Sequence, residues 1–290
     1  MTRVIDAHHH FLDPARAEYP WLTPELARID RRFAPEDLAA ELAAAGVDRT
    51  ILVQTRSSVE ETREFLETAA ATPFIAGVIG WVDLTDAGVV GSIDAARSGS
   101  GGDRLVGIRH QVHDEPDPAW LLRDDVGRGL AAVEAASLTY DLLVRARELP
   151  AALAVVRAQP SLRFVIDHLA KPPIRSGDLR TWADRLRPFG TLANVWCKLS
   201  GLVTETEWQS ARGRRIADLA PAVETALEIF GPSRLIFGSD WPVCLLAASY
   251  GDVMSVAREL TAGLSEAERE AVFGGAADRA YPSLVAPDRV

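Results

Sequence analysis

Cysteine is scarce: Cys197 and Cys244 are the only two in 290 residues. Two thiols provide no disulfide framework and no cysteine-based zinc site. Both are expected to be buried small hydrophobes in a reducing, cytoplasmic setting. Positive charge is also in short supply, with 31 Lys+Arg against 41 Asp+Glu and a formal net charge of -10. An acidic surface repels phosphate backbones, and no basic stripe interrupts it, so no nucleic-acid partner is expected. No apolar run approaches the roughly 18 residues that a membrane span needs, so no membrane partner is expected either. The N-terminal MTRVIDAHHHFLDP lacks the apolar stretch of a signal peptide. No Gly-x-Gly-x-x-Gly loop follows the first apolar run, which argues against a dinucleotide-binding sheet. Internal repeats are also lacking.

What is present is a regular alternation. Hydrophobic residues make up 48% of the chain, a globular value. Eight apolar, often β-branched runs recur: Val4–Ile5, Thr50–Val53, Phe74–Val82, Leu105–Ile108, Thr139–Val144, Arg163–Ile166, Asn194–Leu199 and Leu235–Phe237. They do not alternate apolar with polar, so they read as strands buried on both faces of a parallel sheet. Helical patterns lie between them: Asp124–Ala136, Pro150–Ala158, Asp178–Leu186, Arg214–Phe230 and Tyr250–Leu260. Start signals support others. Pro35 opens a helix that Gly46 closes, and Ser57, Ser58 and Ser265 each precede a Glu by three residues. Ser98–Asp103 reads as a surface loop rather than a domain boundary. The expected fold is α/β, a (β/α)8 TIM barrel, with residues 1–290 as a single domain.

In such a barrel the chemistry sits where strands end. Run one ends in His8, His9 and His10, and run two in Gln54. Run three ends in Trp81, run four in Arg109, His110 and, further on, His113. Asp141 lies in run five, while Asp167, His168 and Lys171 follow run six. Run seven holds Lys198 and Ser200, and run eight leads to Ser239, Asp240 and Trp241. All six histidines fall at such ends. Side chains two apart on a strand share a face, so His8 and His10 are expected to enter one mouth while His9 points away. With His168 and Asp240 they form a set able to hold one divalent ion. The same set also works without metal, a carboxylate taking a proton from water that imidazoles orient. Arg109 suits a carboxylate or oxyanion. Gln54, Trp81, Trp241 and Lys171 are candidates for the substrate wall, with core packing the alternative for the two tryptophans. Lys171 and Lys198 are alternatively partners for Asp167 and Glu205.

The blocks DAHHHFLDP, YPWL, VQTRSSVEET, GVIGWVDL, GIRHQVHDEPD, YDLLV, FVIDHLAKP, CKLSGLVTE and FGSDWPVCLL run in order from about Ile5 to Tyr250. Together they resemble the amidohydrolase superfamily, and within it the amidohydrolase-2 branch that holds sugar lactonases. The resemblance implies a (β/α)8 barrel with His8, His10, His168 and Asp240 as metal or water-binding residues. It implies Asp240 as general base and Arg109–His110 as the strand-four pair of the lactonase branch. One zinc or manganese ion, or no metal at all, is compatible with that branch. A binuclear centre is not expected, because no Lys stands at the end of strand four. Leu12 stands where relatives usually carry Trp, which would widen the pocket or change its stacking. Ala276 stands where many carry Asn or Thr, and is expected to be a helix feature without effect on the chemistry.

The expected reaction is hydrolysis of a sugar-acid lactone, a small-molecule substrate, by a monomer or homo-oligomer. Asp240 deprotonates water that His8, His10 and His168 position, and His110 and Arg109 stabilise the tetrahedral oxyanion. Two other readings stay open at this stage: a metal-dependent decarboxylase of an aromatic acid, and a barrel that only binds a sugar acid.

Overall fold

A computed structural model describes residues 3–206 and 216–285. Eight parallel strands form one sheet in sequence order: β1 (Ile5–His9), β2 (Arg49–Val53), β3 (Ile75–Gly80), β4 (Leu105–His110), β5 (Thr139–Leu142), β6 (Arg163–Ile166), β7 (Val195–Leu199) and β8 (Leu235–Phe237). The sheet closes between its first and last strands. Asp240 N donates to His8 O at 2.8 Å and His10 N donates to Trp241 O at 2.7 Å, with a parallel bridge between His9 and Trp241. This is the expected (β/α)8 barrel. Its strands are nearly continuous apolar runs because each has the barrel interior on one face and helices on the other.

The helices are α1 (Pro35–Ala45), α2 (Val59–Ala71), α3 (Val89–Ser98), α4 (Asp124–Ala135), α5 (Leu149–Ala158), α6 (Leu179–Leu186), α7 (Ile216–Phe230) and α8 (Tyr250–Leu260). The expected start of α7 at Arg214 lies outside the described residues. Gly46, at φ +69°, ends α1 as the Pro/Gly pattern predicted. Ser58 caps α2 by accepting from Glu61 N at 3.2 Å. The Glu61 carboxylate does not complete that box; it accepts instead from Thr55 N at 2.7 Å and Arg56 N at 2.9 Å, tying down the loop after β2. Helix α3 escaped the sequence reading because its repeat is short and holds Gly91.

Below the strands, α9 (Glu266–Glu270), a π turn (Ala271–Gly275) and α10 (Ala276–Ala280) plug the barrel floor. Ala276, Ala277, Ala280 and Tyr281 pack with Ile5, Ile51, Val106, Val165, Trp196 and Ile236 inside the barrel. Ala276 is thus a buried helix residue, as expected. Leu12 is also buried, its backbone paired with Phe33, so it is core and not pocket lining.

Candidate active site

A register shift between Asp6 and His9 in β1 sets up the site. His8 and His10 turn into the mouth, while His9 turns outward and its Nε2 lies 2.9 Å from Thr50 Oγ1. His8 Nε2 and His10 Nε2 are 3.2 Å apart. Asp240 Oδ1 lies 3.5 Å from His10 Nε2, 3.8 Å from His8 Nε2 and 4.0 Å from His168 Nε2. The four residues expected from the sequence do converge, each no more than 5% exposed.

Two of them sit on unusual backbone. His168, Leu169, Ala170 and Lys171 all have positive φ, from 50° to 58°, and Asp240 has φ 58°. Left-handed conformation costs an L-residue roughly 1–2 kcal/mol, so four in succession are held by their surroundings. Lys171 N donates to His168 O at 2.7 Å, and the Trp182 indole donates to Leu169 O at 2.7 Å. The turn brings the His168 ring back over the mouth, 4.4 Å between centroids from His8. Two glycines make room: a Cβ at Gly201 would meet His168 Nδ1 at 2.6 Å, and one at Gly238 would meet His8 Cβ at 2.7 Å.

The outer ring nitrogens are fixed. His10 Nδ1 lies 2.8 Å from Val53 O, and His168 Nδ1 lies 2.8 Å from Ser200 Oγ. A carbonyl can only accept, so His10 carries its proton on Nδ1 and keeps Nε2 free for the mouth. Burial, then the nearby Lys198, holds His8 well below the usual imidazole range. Burial lowers His168 to about 4 against the opposing pull of Asp240. Burial would raise the Asp240 carboxyl, but His168 and His10 bring it below its ordinary value. His8 and His168 are therefore neutral imidazoles beside a carboxylate at neutral pH.

These donors suit a metal. Two ligands of one zinc ion, each about 2.1 Å away at a tetrahedral angle, lie roughly 3.4 Å apart. The spacings of 3.2, 3.5 and 3.8 Å among His8, His10 and Asp240 match that. His8, Asp167 and His168 form a second cluster of possible ligands. Asp167 is less suited, because two cations already occupy it.

Those cations belong to a charged layer just beneath the mouth. Arg109 Nη1 donates to Asp167 Oδ2 at 2.9 Å and lies 3.3 Å from His8 Nε2. Lys198 Nζ lies 2.5 Å from Asp141 Oδ2 and 3.0 Å from Asp167 Oδ1. Burial would raise Asp167, but Lys198, His8 and Arg109 hold it well below the carboxylate range. Burial pushes Asp141 up to about 6 despite Lys198. Asp6 binds the seam from outside: it accepts from His8 N at 3.2 Å, Ser239 N at 2.8 Å and the Tyr250 hydroxyl at 3.0 Å.

The remaining expected residues are placed less uniformly. Gln54 is fully buried and braces Arg109: its Nε2 donates to Arg109 O at 3.2 Å and its Oε1 accepts from Arg109 Nη2 at 3.3 Å. His110 lies at the rim with both ring nitrogens engaged. Its Nδ1 accepts from Trp81 Nε1 at 3.0 Å, its Nε2 lies 2.8 Å from Glu115 Oε1, and its ring stacks on Trp120. A cavity of about 470 Å³ opens beside it, lined by Trp21, Thr55, Arg56, Gln111 and Glu115 among others. Trp241 is core, edge-on to Phe33 and Phe11, and gives the substrate no wall. Lys171 is partly exposed, 4.0 Å from Glu205. Both cysteines are buried, as expected, and that burial raises their thiols. Asp141 and Tyr281 were missed as partners of the site. Their only sequence signal was a charge inside an apolar run and an aromatic residue near the C-terminus.

A closed parallel barrel with a His-x-His strand, a strand-six His and a strand-eight Asp at one mouth defines an amidohydrolase. The family model described as "Amidohydrolase" matches residues 5–283, and the chain belongs to that family. It is 40% identical to the L-fucono-1,5-lactonase of Burkholderia multivorans over 96% of this chain and 95% of that protein. It is 41% identical to the L-fucono-1,5-lactonase of Burkholderia ambifaria over 87% of this chain and 84% of that one. Among solved structures, an amidohydrolase from Burkholderia multivorans with bound zinc superposes with a TM-score of 0.89 at 39% identity, covering 97% of this chain and 99% of that one. Aromatic-acid decarboxylases at 14% identity share the fold, and that likeness reaches no further.

Proposed function

We propose that this chain, read as one domain, is a hydrolase that opens a sugar-acid lactone of the L-fucono-1,5-lactone kind. The observation that carries this reading is the meeting of His8, His10, His168 and Asp240 at a single point of the mouth. The identity to two L-fucono-1,5-lactonases supports the substrate class.

Asp240 takes the proton from the attacking water and returns it to the departing ring alkoxide, so no net proton is consumed at that step. His168, tethered through Ser200, and His10, tethered through Val53, orient that water. The Arg109 charge, 3.3 Å from His8 Nε2, favours the oxyanion that forms as the carbonyl is attacked. His110 contributes chiefly as a rim wall with Trp81, because donating to an oxyanion would require it to leave Glu115 or Trp81. Gln54 acts through Arg109, and Lys171 faces the outer part of the substrate. His8, His10 and Asp240, with His168 beside them, are the residues that would hold one zinc or manganese ion. Such an ion would lower the pKa of water and polarise the lactone carbonyl.

A panel of aldonolactones with a pH indicator tests the reading. Proton release with a 1,5-lactone of a 6-deoxysugar acid is the expected outcome, and silence across the panel sinks it. Metal analysis of protein purified without chelator is expected to find about one divalent ion per chain.

A further inference from the structure

An unbroken line of buried polar atoms joins the floor of the barrel to its mouth. The Tyr281 hydroxyl rises from the C-terminal plug and lies 2.9 Å from both carboxylate oxygens of Asp141. Asp141 Oδ2 lies 2.5 Å from Lys198 Nζ. The same ammonium is 3.0 Å from Asp167 Oδ1 and 3.2 Å from His8 Nδ1. All five residues have at most trace exposure, so no bulk water can replace a lost partner. A sealed network answers the loss of one member by rearranging the others.

Lys198 is the branch point. Asp141 draws its ammonium toward the floor, while Asp167 draws it toward the mouth. The pull of Asp141 depends on how much of its charge the Tyr281 hydroxyl satisfies. Asp141 and Asp167 balance Lys198 and Arg109, so the neutral phenol adds geometry and no net charge. We propose that Tyr281 is a positioning residue for the reaction: through Asp141 and Lys198 it sets the Asp167–His8 pair, whose Oδ1 and Nδ1 lie 3.4 Å apart, and so the placement of His8 Nε2. Without the hydroxyl, Asp141 draws Lys198 down and the contacts to Asp167 Oδ1 and His8 Nδ1 loosen. The plug itself has a separate anchor, since Thr139 Oγ1 donates to Ala280 O at 2.6 Å. That bond touches none of the charged residues and provides a control.

The activity readout rests on the lactonase reading; a second readout does not. Tyr281→Phe is expected to lower kcat about tenfold with KM changed less than about twofold, the scale of an outer-shell loss. Nitrogen NMR of histidine-labelled protein, with His8 assigned by comparison with His8→Asn, is expected to show a shifted His8 ring signal. Thr139→Val is expected to lower the melting temperature while leaving both kcat and the His8 signal at parental values. An unshifted His8 signal in Tyr281→Phe, a parental kcat there, or an equal loss of kcat in Thr139→Val overturns the proposal. If the parent opens no lactone, the lactonase reading falls alone, and the His8 signal, which needs no substrate, still decides for or against Tyr281.

Discussion

The mouth and the layer beneath it are both buried and both polar, yet they are built on opposite plans. In the lower layer the carboxylates of Asp141 and Asp167 face the cations of Lys198 and Arg109 at 2.5 to 3.0 Å. In the mouth, His8 and His10 stand 3.2 Å apart and Asp240 stands 3.5 to 4.0 Å from all three imidazoles, spaced for something to sit between them. Burial alone does not mark the working residues. What distinguishes them is the wider spacing of their inner-facing atoms, 3.2 Å and more where the charged pairs below close to 2.5–3.0 Å.

Substitutions can break that contrast in graded steps. Asp240→Asn removes the proton acceptor but keeps the shape of the mouth. Turnover is expected to fall on the order of 10³–10⁴ with substrate affinity retained, read by steady-state kinetics and equilibrium binding. A near-parental rate would place the chemistry elsewhere. Lys198→Met strikes the lower layer instead, leaving two carboxylates buried with one cation. It is expected to cost roughly 3–5 kcal/mol in urea unfolding, the scale of a broken buried pair. Equal stability would show that the layer is not the tightly paired one described. Gly201→Ala tests how finely the mouth is placed. The added methyl meets His168 Nδ1 at a position of φ +64°, and a shift of about 1 Å is expected to cost around 10²-fold in kcat. At the bottom of the scale, Ser249→Ala removes the cap that accepts from Asp252 N at the start of α8. About 1 kcal/mol of stability and no change in kcat are expected, read by thermal unfolding and kinetics. A rate loss there would couple the helix shell to the mouth.

The contrast also explains what was legible in the sequence. His8, His10, His168 and Asp240 were readable because they punctuate the ends of apolar runs, where a barrel exposes its side chains. The strand pattern was readable for the same reason: two-sided burial leaves a continuous apolar signature. The lower layer was not, because Asp141 and Lys198 lie inside strands, and their meaning depends on which strands face each other across the barrel. Lys198 was linked with Asp167 as one of several options, while Tyr281 lies 140 residues from its partner Asp141. Trp241 stood open between pocket wall and core, because a residue that follows Asp240 at a strand end fits either. The left-handed φ of Asp240 turns its neighbour into the core between Phe11 and Phe33.

The seam between β1 and β8 has a consequence for the making of the protein. His8 and His10 leave the ribosome more than two hundred residues ahead of Asp240. The hydrogen bonds that join them, Asp240 N to His8 O and His10 N to Trp241 O, form only when the cylinder shuts. An unfinished nascent chain is therefore chemically silent. The first lactone it opens would announce that the last strand has docked against the first.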